Sequence, residues 1–174
     1  MKHGCVLLLL VTAATAGAAC GGGAAAEETP GGSATAAIDG TTFAVSDVKL
    51  TFQAGEDGYF RIEGRDAKHP DDDCVTGLGG GLALYGELPS SVSTLADLSG
   101  RELPFEFTGD GDDFNLCFVG SNGLLGVDSG TVKFTGVNGS SVTFTFAGNF
   151  DRFDGEGGET GNVRASGSGT ANLD

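Results

Sequence analysis

The chain has 174 residues and carries 24 acidic against nine lysine and arginine side chains, a formal charge of −15. A surface this negative repels phosphate backbones, which sets nucleic acid aside as a partner. Tryptophan is absent, the 32 glycines follow no G-X-Y period, and a single histidine, His69, lies beyond the N-terminal apolar stretch, so histidine-based catalysis has almost nothing to work with.

The chain opens with Met1-Lys2-His3, runs apolar from Val6 to Val11, and then passes through small residues to Cys20. A basic end, a short apolar run and a small-residue exit describe a secretory signal peptide. The apolar run is too short to cross a ~30 Å hydrocarbon core as a helix. Residues 1–19 are therefore expected to be a signal peptide. Gly17-Ala18-Ala19-Cys20 resembles the lipobox of bacterial lipoproteins, with Gly17 where that family usually has Leu. The resemblance implies that Cys20 is lipidated, becomes the mature N-terminus and holds the protein at a membrane. Gly21, a residue other than Asp after the Cys, implies an outer membrane. Ala16-Gly17-Ala18 also offers an A-x-A site, whose cleavage releases a soluble protein. From Cys20 to residue 36 the sequence is rich in Gly and Ala with no apolar periodicity, and reads as a flexible tether spanning roughly 20–24 Å.

Residues 37–174 are expected to form one all-β domain. Thr42–Ser46 places Phe43 and Val45 on one face; Val48–Phe52, Tyr59–Glu63 and Leu103–Phe107 alternate apolar with polar, and Phe114–Val119 reads as a more fully buried strand. Ser91–Leu98 has room for one helical turn. Thr131–Val137 and Ser140–Gly148 flank Asn138-Gly139, the dipeptide that best supplies two positive φ values for a type I′ hairpin. Val163, Ala165, Gly167, Gly169, Ala171 and Leu173 repeat at period two, a last strand whose small face lets another backbone approach closely. Eight to ten short strands in this length indicate an antiparallel β-sandwich or barrel, with strand order open. The opening Ile38-Asp39-Gly40-Thr41-Thr42-Phe43 and the closing run from Phe144 to Phe150, with the glycine-spaced last strand, are similar to small envelope lipoprotein domains of uncharacterised function. That resemblance implies a fold neighbourhood and no activity.

Candidate chemistry is sparse. Cys74 and Cys117 are the two cysteines of the expected domain, and a pair in an exported chain implies a disulfide; a thiol metal pair without a nearby His makes a poor site. His69 sits in a polar loop, and no G-x-S-x-G elbow supplies it with a nucleophile. Gly77 to Gly81 lacks the Lys-Ser/Thr ending of a phosphate loop and reads as packing. Three acidic clusters stand out: Asp71-Asp72-Asp73; Asp110, Asp112 and Asp113; and Asp151, Asp154 and Glu156. They are candidate calcium ligands, but Asp and Gly are also the ordinary residues of turns and none of the clusters has the EF-hand spacing. Tyr59 and Tyr85 are the ring candidates for sugar stacking. The expectation is a lipid-anchored envelope protein with a structural or protein-interaction role, no catalytic residues and no cofactor, whose partner is an envelope protein or surface ligand. A calcium- or glycan-binding surface module is the alternative, and a hydrolase using paired carboxylates is third.

Overall fold

The computed structural model describes residues 31–75, 78–107, 114–154 and 156–174. Its strands are β1 (Gly32–Ile38), β2 (Thr41–Gln53), β3 (Tyr59–Asp66), β4 (Asp73–Val75), β5 (Leu78–Gly79), β6 (Gly81–Glu87), β7 (Glu102–Pro104), β8 (Leu116–Cys117), β9 (Leu124–Asn138), β10 (Ser141–Phe153) and β11 (Glu159–Leu173), with one 3₁₀ turn at Leu95–Leu98. Eight of them close an antiparallel barrel in the order β1, β2, β3, β6, β8, β9, β10, β11 and back to β1. The sandwich-or-barrel alternative is thereby settled in favour of the barrel. Among the described residues, closure leaves no long open edge for another chain to extend.

Two irregularities complete the wall. β8 pairs with β9 only at Leu116 and Leu125. Below it, β7 takes its place, Leu103 opposite Val132, and Glu106 bridges to Tyr85 of β6. The buried Asn115 joins the two pieces. Its Nδ2 donates to the carbonyls of Ala83 and Glu106, both at 3.1 Å, and its Oδ1 accepts from the Val127 N–H at 2.7 Å. The second irregularity is where β1 starts. Gly32 stands opposite Val48, and beyond it Asn172 and Leu173 of β11 pair in parallel with Lys49 and Leu50 of β2. A Cβ on Gly32 would lie 2.8 Å from the Val48 carbonyl oxygen, so this close approach requires glycine.

The interior is filled by side chains. Alternate residues of the longer strands point inward, and Phe60, Phe118, Phe134, Phe144 and Phe150 are the largest fully buried side chains. Phe60 and Phe134 meet edge-to-face with centroids 5.5 Å apart. The small face expected on the last strand is present: a Cβ on Gly167 would run into the Phe146 ring, so β11 makes room for the phenylalanines of β10. Leu88, Val92 and Leu98, on the segment around the 3₁₀ turn, are buried with this core.

Several expectations change in detail. The tether was expected to reach residue 36, but β1 begins at Gly32 and pairs with β11 and β2 on both sides. Its inward residues Ala34 and Ala36 are too small to give an apolar period. β6 was not anticipated as a strand, because Gly81 and Gly86 bracket it. Within Phe114–Val119 only Leu116–Cys117 pairs as a strand, although residues 115–118 are all buried as expected. Leu103 and Phe105 point inward, but Phe107 is 42% exposed where the chain leaves the wall. The β9–β10 hairpin turns one residue later than expected. Asn138 pairs with Ser141 and only Gly139 has positive φ, +62°, the position glycine takes in a type II′ turn. The two positive φ values of a type I′ turn occur instead at Asp39 (47°) and Gly40 (78°), between β1 and β2.

Candidate functional site

Cys74 of β4 and Cys117 of β8 form a disulfide, with Cα atoms 5.8 Å apart, inside the range such bridges require. The bridge fastens the loop between β3 and β6 to the wall, and the two sulfurs are used on each other rather than on a metal. Asp66, 2% exposed, holds the same junction: Oδ1 accepts from the N–H groups of Lys68 and His69 and Oδ2 from Val119. A buried carboxylate is tolerated here because three backbone donors satisfy it. The His69 imidazole makes a 3.0 Å contact with Asp72 on its own exposed loop.

The acidic cluster at the β10–β11 connection is organised as a turn. Asp154 Oδ1 accepts from the N–H groups of Glu156 at 3.0 Å and Gly158 at 2.7 Å, while Asp151 accepts from the side chain of Asn162 on the neighbouring strand. These are the local hydrogen bonds that aspartate makes in turns. Among the described residues, no three His, Cys, Asp or Glu side chains gather as a metal site. Asp110, Asp112 and Asp113 lie outside the described residues, as does Cys20.

Another arrangement has no precursor in any local motif. On the outer face, β2, β3 and β6 present alternate residues side by side: Thr51, Arg61 and Tyr85 in one row, Lys49, Glu63 and Ala83 in the next. A groove of about 840 Å³ runs across these strands from Phe114 to Ser140 and the Asn172–Asp174 segment, and Gly31 lines it where the chain enters the barrel. Three cations (Lys49, Arg61, Arg65) and three carboxylates (Asp47, Glu63, Asp174) border it, with Lys49 on Asp174 at 3.0 Å and Arg61 on Glu63 at 2.9 Å. Neither tyrosine lines the groove: Tyr85 is the neighbour of Arg61 across the β3–β6 pair, and Tyr59 and Tyr85 stand together just beyond the lining, ring centroids 5.7 Å apart and tilted by 33°.

The sequence named the two tyrosines together, as ring candidates for sugar stacking, and the basic residues not at all. Each of those side chains is an ordinary outward position of an alternating strand, and only the cross-strand register assembles them. No protein-family model matches the chain, and no curated protein or solved structure does.

Proposed function

We propose that the chain is a lipid-anchored protein of the bacterial envelope with a structural or protein-interaction role, holding a β-barrel off the membrane on a short tether. The observation that carries this reading is where the chain enters the barrel. Gly32 packs against Thr170 near one end of β11, and the acidic Asp154–Gly158 turn precedes the other end, roughly 35 Å away along the strand. About a dozen residues separate Cys20 from β1, and a flexible chain of that length would span roughly 20 Å. A lipid on Cys20 places the entry rim toward the membrane and directs the acidic turn outward, away from anionic headgroups that repel it. The packed interior supports a role exercised by the outer surface, and the His69 ring and the Asp154 carboxylate make their contacts within their own loops.

The test is Cys20→Ala in the producing bacterium. The variant should lose labelling by a fatty-acid analogue and leave the membrane fraction. A wild-type chain that carries no lipid, with its mature N-terminus at Ala19 or earlier, overturns the proposal.

A further inference from the structure

We infer that the outer face of β2, β3 and β6 binds a neutral oligosaccharide that lies in the groove and extends past Arg61 to stack on Tyr59 and Tyr85. The chain's two tyrosines come from different strands and meet on the outer face, each only partly buried. An aromatic face carries partial negative charge, and the polarised C–H groups on the flat side of a pyranose ring complement it. From Tyr59 the ladder continues along β3 through Arg61, Glu63 and Arg65, one outward side chain every two residues. Those four positions extend over roughly 20 Å, the dimension of a short saccharide chain.

Charge decides the class of ligand. The groove has as many carboxylates as cations in a protein whose formal charge is −15. A polyanion is repelled by the long-range field and finds no local excess of cations to offset it. A cation finds no surplus of carboxylates. Hydroxyl groups both donate and accept, and a border that alternates guanidinium, ammonium and carboxylate answers both needs. A peptide laid down as an added strand is disfavoured because the closed wall offers it no edge.

The composition also supplies the readout. With no tryptophan and with both tyrosines beside the groove, intrinsic emission reports this face of the barrel and little else. The full chain, kept in detergent, is titrated with cellotetraose, chitotetraose and maltotetraose at millimolar concentrations, with tetragalacturonate and chitosan tetramer as the charged comparisons. The expected result is a saturable change in tyrosine emission with at least one neutral probe. Tyr85→Ala leaves Tyr59 to report and should weaken binding by about five- to tenfold, the worth of one aromatic contact. Glu63→Gln should weaken it less, and Thr145→Ala, on the opposite face, should leave it unchanged. Calorimetry on the same proteins checks each affinity independently of the fluorophore, and melting temperature establishes that each variant is folded. No saturable response to any neutral probe, an affinity indifferent to both Tyr85→Ala and Glu63→Gln, or tighter binding of either charged probe overturns the inference. Its failure leaves the anchoring proposal untouched, because the groove acts in the same way with or without a lipid on Cys20.

Discussion

The wall built from β9, β10 and β11 and the stave shared by β7 and β8 do the same job in one barrel by different means. In the wall, strands of 15, 13 and 15 residues pair along nearly their whole length, and the backbone ladder with inward phenylalanines specifies the register. In the stave, pieces of three and two residues cannot hold themselves in place. Asn115, the disulfide and the Glu106 bridge do it for them. A continuous strand distributes its stability over many weak, replaceable contacts, whereas a patched one concentrates it in a few side chains.

That contrast makes mutations in the stave the more costly. The largest effect is expected for Cys74→Ser. The bridge spans a sequence separation of 43, and a loop of that size is worth roughly 4 kcal/mol. In a domain of this length the loss lowers the melting temperature by more than about ten degrees; free thiols at both positions in the exported native protein would remove the basis for this. Asn115→Ala comes next. It takes away three hydrogen bonds to backbone groups at the seam, two donated and one accepted, and should cost about 2–4 kcal/mol. Thermal melting checks it, and a cost below that of Gly139→Val would break the comparison.

Gly139→Val probes the wall at its turn. The residue has φ of +62° with open space around the Cβ position, so the penalty is backbone strain alone, about 1–3 kcal/mol. An unchanged melting temperature would show that this turn does not need the left-handed conformation.

The smallest effect is expected at Asp97, on the 3₁₀ turn that leads into β7. The Thr94 hydroxyl, followed by the Thr94 and Ser93 N–H groups, holds its carboxyl below the ordinary 3.8. A depressed folded-state value means that the stabilisation is complete above the unfolded value and disappears as pH falls through the folded one. Asp97→Ala should therefore lower the melting temperature slightly at pH 7, with the difference from wild type closing on acidification below 3.8. A gap that persists in strong acid would assign the loss to packing.

The same contrast explains what could be read in the chain before its structure. The β9–β10 hairpin and the glycine-spaced β11 announce themselves because large and small residues alternate over many positions. β1 escaped because alanine on its inward face carries little apolar signal. β7 and β8 were recognised as apolar, but not as two parts of one stave, since their junction depends on a polar residue, Asn115, answering groups from three other segments. The disulfide was legible from the count of cysteines. The groove was not, because Lys49, Glu63 and Ala83 become neighbours only through the pairing of β2, β3 and β6.

The parallel contact of Asn172 and Leu173 with Lys49 and Leu50 has a consequence for how the molecule is made. The ring is sealed by β1 and β11, which belong to opposite ends of the described chain, so most of the barrel must be in place before the seal can form. Pairings between residues so distant in sequence are reached slowly, and every intermediate that lacks β11 exposes the open edges of β1 and β10 to other chains. Removing β11 therefore should not yield a slightly smaller barrel but an open, aggregating sheet, and the order in which segments become available sets how long each molecule spends in that state.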